Sequence, residues 1–332
     1  MKTVLVVGGA GYVGSHCAKA FRLAGWEVVV FDDLSRGHRD SVRFGALIEG
    51  SLLDQDSVKQ ALADVKPDLV AHFAAVAYVG ESMADPSLYY RVNLVGSLNL
   101  LDAMRAAGID SLLFSGTCAV YGDPVRLPID EDHPRQPINP YGRSKLAAER
   151  IIEDFVTAYG LKATLLRYFN AAGCDAEGEL GERHEPETHA IPLAIRAALD
   201  PAARFEVLGT DFDTRDGSAV RDYIHVSDLA RAHVMAGEQT LAAPGFRTFN
   251  LGTGHGTSVL ELLAAVERAT GQAPGVRYAA RRGGDPAELV ACARKAEREL
   301  GWRASESGID HIVATALAWQ RGMLADRPRR AG

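Results

Sequence analysis

Tyr141 and Lys145 stand four residues apart in "INPYGRSKLAAER", one helical turn if the segment is a helix. Asn139 is a good N-cap and Pro140 suits the first helical position. Tyr141, Lys145, Ala148, Ile152, Phe155 and Tyr159 then recur at helical spacing, so this stripe is expected to face the interior. A lysine on an inward stripe needs a partner or a task. A bland arrangement, with Lys145 reaching the surface and the Tyr141 hydroxyl satisfied in the core, competes with a chemical one. In the chemical one, a cation one turn away favours the phenolate of Tyr141, whose reference pKa is about 10.

A second cluster lies near the N-terminus. "GGAGYVG" sets Gly8, Gly11 and Gly14 directly after an apolar run. Such glycines allow a tight turn and the approach of a pyrophosphate to the following helix N-terminus. Asp32 lies 18 residues beyond Gly14, at the end of the next apolar run, where a carboxylate can accept from a ribose 2′-OH. Asp32 favours NAD, while Arg36 and Arg39 nearby leave a 2′-phosphate open. "SLLFSGTCAVYG" offers Thr117, with Ser115 as a rival, as a hydroxyl close to the reacting group.

The elements that must position these groups follow from the pattern of apolar runs. "TVLVVGG", "WEVVVFDD", "LIEGS", "PDLVAHFAA", "SLLFSGT" and "KATLLRYFN" read as strands, with helix-like stretches such as "SHCAKAFRLAG" and "DSVKQALADV" between them. Apolar throughout and alternating with helices, they imply an α/β fold with a doubly wound parallel sheet of the Rossmann kind. After Asn170 comes a polar, turn-rich loop, then a short helix, "IPLAIRAALD". "RDYIHVSDLARAHVMAG" and "TFNLGTG" read as a return to the sheet, and "TSVLELLAAVERATG" and "ARRGGDP" as parts of a smaller α+β lobe that binds substrate. The expected division is residues 1–170 plus about 221–253 for the dinucleotide domain. Residues 171–220 plus 254–332 make the second lobe, with a cleft between the two.

The chain has 332 residues, 47% hydrophobic and 24% charged, ordinary values for a globular protein with a sizeable core. A formal net charge of −7 without a basic stripe argues against a nucleic-acid partner. Cys17, Cys118, Cys174 and Cys292 have neither metal nor disulfide spacing, so no metal is expected and the compartment is expected to be reducing, as in the cytoplasm. The apolar N-terminus reads as a buried strand, and no apolar run approaches the roughly 18 residues of a membrane span.

Tyr-x-x-x-Lys about 130 residues after a dinucleotide fingerprint resembles the short-chain dehydrogenases/reductases, specifically their extended branch and its nucleotide-sugar epimerases. The matching blocks are "GGAGYVGSH", "HFAAVAYVGES", "FSGTCAVYGD", "PYGRSK", "LRYFNAAG", "DGSAVRDYIHVSDLA", "FNLGTG" and "ARRGGDPAELVA", spread over nearly the whole chain. Related dehydratases carry an Asp-Glu pair after the threonine. Cys118 and Ala119 stand here, and neither can protonate a leaving hydroxyl.

The resemblance implies reversible inversion at C4 of a UDP-hexose, UDP-glucose to UDP-galactose, through a 4-keto sugar with tightly held NAD. The positive nicotinamide ring would join Lys145 in favouring the Tyr141 phenolate. Tyr141, Lys145 and Thr117 would be catalytic. Tyr12 and Val13 would lie along the pyrophosphate. Asp32, Asp33, Leu34, Ser35, Arg36 and Gly37 would surround the adenosine ribose, with Ser51 and Leu52 near the adenine. Phe73, Ala74, Ala75, Ala77 and Asn93 would line the cofactor, with Tyr168 and Phe169 near its ring. Asn170, His189, Arg221, Tyr223, Arg282 and Asp285 would grip UDP, and Leu289 would sit beside the hexose. Val7, Ser51, Ala77 and Val92 depart from the usual pattern. A net oxidoreductase of the same fold and a non-catalytic dinucleotide sensor are the competing readings. Apolar residues lie on more than one face of "YYRVNLVGSLNLLDAMRAAG" and "KLAAERIIEDFVTAYG"; a second face is open to burial under a loop or to a second subunit, and the resemblance implies a homodimer.

Overall fold

The computed structural model describes residues 1–281 and 286–325. Seven parallel strands form one sheet: β1 (Thr3–Val7), β2 (Glu27–Asp32), β3 (Ala46–Glu49), β4 (Leu69–His72), β5 (Ser111–Thr117), β6 (Lys162–Tyr168) and a seventh at Phe246–Leu251. Their spatial order is β3-β2-β1-β4-β5-β6 and then Phe246–Leu251, every neighbour parallel. Six of these are the runs read from the sequence. Val4, Val6, Val70, Leu113 and Leu165 are all fully buried, which is why the runs show no polar alternation.

The helices cover both faces. α1 (Tyr12–Leu23) joins β1 to β2, α2 (Gln55–Val65) precedes β4, and two short helices, α3 (Val79–Ala84) and α4 (Pro86–Tyr89), lead through a π-helical turn at Tyr90–Val95 into α5 (Gly96–Ala106). α6 (Pro140–Tyr159) joins β5 to β6. One apolar layer packs Phe21 and Trp26 with Leu229 and Ala236 against β1 and β4; the other packs Leu62, Leu100, Met104 and Ile152 on the opposite face. Because the strand order reverses between β1 and β4, the loops at the carboxyl ends of these strands diverge and leave a crevice.

The remaining elements are β7 (Asn170–Ala172), α7 (Ala190–Leu199), β8 (Phe205–Leu208), β9 (Val220–Arg221), β10 (Tyr223–His225), α8 (Val226–Ala242), β11 (the Phe246–Leu251 strand), β12 (Thr257–Ser258), α9 (Val259–Thr270), β13 (Val276–Ala279), β14 (Glu288–Leu289), α10 (Arg294–Leu300) and α11 (Ile309–Ala325). α7, α9 and α11 enclose an apolar cluster of their own around Ile195, Leu262 and Ile312, with β8 and β13 paired beside it.

Two expectations need correction. "RDYIH" does not enter the central sheet: β9 pairs with β12 and β14, and β10 pairs with β7, so only β11 returns. Tyr159 does not continue the inward stripe of α6. It is 55% exposed, edge-on to Phe155 at 5.0 Å and under the Arg105 guanidinium at 4.3 Å. The stripe ends where the helix runs past the sheet.

Candidate active site

The start of α6 is built as its sequence suggests. The Asn139 side chain accepts from Gly142 N–H at 2.9 Å, Pro140 occupies the first turn, and Gly160 closes the helix in the left-handed region. Gly142 lets this turn sit against the chain after β5, since a Cβ there would stand 2.4 Å from the Ala119 carbonyl oxygen. That approach carries Tyr141 to Thr117. Burial pushes the Tyr141 phenol up to about 12, with a hydrogen bond to Thr117 acting in the opposite direction.

Lys145 is 3% exposed, so it does not reach the surface. Its ammonium lies 4.1 Å from the centre of the Phe114 ring, and burial lowers its pKa to about 7 against the raising effect of Glu149. Glu149 gives it little because both its oxygens accept from Arg167, at 2.9 and 2.8 Å. A buried ammonium so placed favours an anionic neighbour.

The two candidate hydroxyls differ in their partners. Ser115 shares a 2.6 Å hydrogen bond with the Tyr168 hydroxyl, whereas Thr117 meets Tyr141. Thr117 also caps the short turn Cys118–Val120 by accepting from Ala119 N–H at 3.1 Å.

The glycine segment fits a dinucleotide. Gly8 has φ +84°, and a Cβ there would collide with the Ala74 backbone at 2.3 Å, so β1 and β4 loops touch only because it is glycine. At Gly11 the nearest atom to an added Cβ is 3.5 Å away, which leaves that face open. Gly11 caps α1 without a side chain, so the first-turn N–H groups of Tyr12, Val13 and Gly14 have no side-chain acceptor at the cap. An open, uncapped helix N-terminus suits a pyrophosphate. The Tyr12 side chain turns away, donating to the Gly173 carbonyl at 2.5 Å, so only its backbone is available for this task.

Asp32 accepts from Ala10 N–H at 2.9 Å and Leu34 N–H at 2.8 Å. Burial raises its pKa while these two donors lower it, and lone pairs are left over for ribose hydroxyls. Asp33 accepts from the Ser35 backbone and from Ser51 Oγ at 3.2 Å, so Ser51 reaches this loop through Asp33. The arginines that left a 2′-phosphate open are engaged with carboxylates: Arg36 with Glu81 at 2.5 Å, and Arg39 with Glu49. Leu52 is buried and Gly37 packs on Ala10.

After β4, Phe73 and Ala74 both donate to the Val7 carbonyl, at 2.7 and 2.9 Å, which ties the segment leading to Ala75 and Ala77 to the end of β1. The Phe73 ring packs on His233 at 4.9 Å. Asn93 is buried in the π-helical turn, and its amide is fully used. It accepts from Val76 N–H at 2.9 Å and donates to the Val76 carbonyl and Ser144 Oγ, each at 3.0 Å. Its role is to staple the β4 loop to α6 beside Lys145.

Strand pairing gathers the substrate candidates. Asn170 lies opposite Tyr223 in the β7–β10 pair, and Leu289 opposite Arg221 in the β14–β9 pair. Arg221, Tyr223, Asn170 and His189 line one cavity of about 570 Å³. Leu289 is half-buried beside Tyr121, Phe169 and Ala291. Arg282 and Asp285 lie outside the described residues.

Sequence reasoning missed Asp222, Arg196 and Glu182. Asp222 is buried between Arg221 and Tyr223, and its carboxylate accepts from Thr253 N–H and Oγ, Gly254 N–H and Ala291 N–H, at 2.7 to 3.1 Å. It ties "FNLGTG" and β14 to the substrate wall. A carboxylate flanked by two candidates in "RDY" was the available signal. Arg196 lines the same cavity, and its i+7 spacing from His189 was legible.

A parallel doubly wound sheet, a glycine turn at its reversal point and a Tyr–Lys–Thr group whose lysine and threonine are buried define a dinucleotide-dependent enzyme that moves hydrogen at a carbinol carbon. Residues 4–252 match the model of the NAD dependent epimerase/dehydratase family. The chain belongs to this family. It is 50% identical over 316 residues to a UDP-glucose 4-epimerase of Rhizobium meliloti, covering 95% of each chain. The crystal structure of UDP-glucose 4-epimerase from Brucella ovis in complex with NAD has 49% identity and a TM-score of 0.93, covering 96% of this chain and 98% of that one. The enzyme from Bifidobacterium longum in complex with NAD+ and UDP has 38% identity and a TM-score of 0.92, covering 97% and 98%.

Proposed function

We infer that Tyr141, Lys145 and Thr117 carry the reversible C4 epimerisation of UDP-glucose and UDP-galactose that this NAD-dependent enzyme performs. The observation that supports this most is a half-buried phenol one helical turn from a buried ammonium, near the carboxyl end of β5, together with an open, uncapped helix N-terminus. Bound NAD supplies a reversible hydride acceptor at the sugar carbon. Tyr141 removes the C4 hydroxyl proton and later returns it. Thr117 holds the C4 oxygen and passes hydrogen-bond polarity to Tyr141. Lys145 stabilises the phenolate, which in turn relieves the burial of its own charge. Asn170, Tyr223, Arg221 and His189 fix the nucleotide, leaving the hexose free to present its other face at the 4-keto stage. Binding energy from the remote UDP thus positions a sugar that must rotate.

The first lobe, 1–170 plus about 221–253, would hold NAD, and the second, 171–220 plus 254–332, the UDP-sugar. Among the described residues no helix is long and apolar enough to cross a membrane, and we take the enzyme to work in the cytoplasm. Tyr90, Val95 and Leu98, all over a third exposed, lie together on α5 and the turn before it, and we assign this face to a second copy of the chain.

Purified protein incubated with UDP-galactose should yield UDP-glucose without added NAD, and denaturation should release NAD and no NADP. Arg36 and Arg39 are held by carboxylates and Asp32 opposes a 2′-phosphate. Release of NADP, or a strict need for added cofactor, would overturn this reading.

Leu289 sets an expectation about substrate size. A tyrosine in its place would crowd the hexose 2-position; leucine, half-buried at the edge of the cluster that includes Tyr121 and Phe169, is the smaller side chain. UDP-N-acetylglucosamine and UDP-N-acetylgalactosamine should therefore also be interconverted, and Leu289→Tyr should abolish that activity while sparing the plain hexoses. Turnover of both sugar pairs by both proteins decides it. Indifference of the natural protein to the N-acetyl sugars sinks the idea.

A further inference from the structure

In the polar loop before α7, "GERHEPETHAI" brings Glu182, His184, Glu187 and His189 to one point, and one ligand atom from each lies within 4.8 Å of all the others. We propose that these four side chains form a zinc site that clasps residues 182–189 at the edge of the substrate cavity.

Four histidine–carboxylate separations in the cluster lie near the spacing a tetrahedral ion requires. His189 Nδ1 is 2.8 Å from Glu187 Oε1 and 3.1 Å from Glu182 Oε1. His184 Nδ1 is 3.5 Å from Glu182 Oε1 and 3.6 Å from Glu187 Oε2. Zinc bonds of about 2.0–2.1 Å in a tetrahedron place ligand atoms about 3.3–3.4 Å apart. The observed values straddle that length.

Two further observations point to an ion. The Glu182 side chain is 4% exposed, and its Oε1, aimed into the cluster, has no hydrogen-bond partner, as does the buried His184 Nδ1. Among the described residues, the only basic groups within 4.0 Å of these carboxylates are the two histidines. The neighbouring acidic group differs: Asp175, Glu177 and Glu179 surround the Lys19 ammonium, which supplies their cation. A divalent ion would balance the two carboxylates at the first cluster as Lys19 does at the second.

The surroundings hold the ligands in place. Glu187 Oε1 accepts from the backbone N–H groups of Thr188 and His189, each at 2.8 Å. The Glu182 carbonyl accepts from the Trp319 indole N–H at 3.1 Å. Imidazole nitrogens with carboxylates in a four-ligand set suit zinc better than magnesium or calcium, and four protein ligands make a closed, structural site. Ligation through Nδ1 leaves Nε2–H as the hydrogen that His189 offers, which fixes the tautomer of a residue on the cavity wall.

The test uses the full chain produced without a histidine tag and read by elemental analysis after gel filtration. About one zinc per chain is expected, lost in His184→Gln and in Glu187→Gln. After removal of zinc by a chelator, added cobalt(II) should give the intense visible absorption of a tetrahedral centre in the wild type only. Retained NAD and a cooperative melt in each variant confirm that it folds. Absence of both zinc and the cobalt band, or metal content equal in wild type and variants, overturns the proposal and leaves the cluster as a histidine–carboxylate network. Metal content is read independently of turnover, so failure here leaves the epimerase reading untouched.

Discussion

Tyr141→Phe should reduce kcat by about 10²–10⁴-fold, the range that a positioned acid–base group supplies. At about 1.4 kcal/mol per tenfold, that is roughly 3–5 kcal/mol of lost transition-state stabilisation. The phenol meets Thr117, lies one turn from Lys145, and is held at about 12 by burial in the protein alone. To act as a base near neutral pH it must fall well below that, so groups that favour the phenolate must supply the shift. Phenylalanine keeps the ring and removes only the proton carrier. The variant should therefore melt close to the wild type and still release NAD on denaturation, while UDP-galactose persists. A variant that epimerises at near-normal speed would remove Tyr141 from the chemistry.

What could be read in advance divides along physical lines. The six strands and the α6 cap were legible because each rests on local rules: continuous apolar runs bounded by turns, and Asn-Pro before a periodic stretch. The glycine turn was legible because a φ of +84° and a backbone approach leave only one residue type. The pairing of Ser115 with Tyr168 was not, because it depends on a side chain from the next strand. Nor was the use of Asn93, whose partners Val76 and Ser144 lie 17 and 51 residues away. The "RDYIH" segment was misassigned for the same reason. Two strands of two and three residues carry little period-2 signal, and their partners β7, β12 and β14 are set by the lobe. Asp222 and the Glu182 cluster carried only short local signals, the carboxylate within "RDY" and the alternation of Glu and His in "GERHEPETH", and the folded chain is what shows their partners.

The buried pair beneath the site sets the second large effect. Arg167 on β6 is 1% exposed and Glu149 on α6 is fully buried, one turn beyond Lys145. The guanidinium grips both carboxylate oxygens and also donates to the Tyr121 hydroxyl at 3.0 Å, which donates onward to Asn250 Oδ1 at 2.6 Å. Glu149→Gln preserves the shape and removes the charge, leaving a guanidinium uncompensated in the interior. Breaking one side of such a pair costs about 3–5 kcal/mol. For a chain of this length that corresponds to a fall in melting temperature of roughly 5–10 °C. Because α6 presents Tyr141 and Lys145 from its first two turns, a loosened α6–β6 contact should also lower kcat, by less than Tyr141→Phe does. Replacing both partners tests the cause. Glu149→Met with Arg167→Met removes both charges of the pair and leaves Lys145 buried one turn away, and apolar replacement of a buried pair is often neutral or stabilising. The double variant should therefore recover most of the lost melting temperature. Thermal melts of the three proteins at one pH and salt concentration decide the matter. A single variant that melts with the wild type, or a double variant no better than the single, would show that the pair does not hold α6 in place.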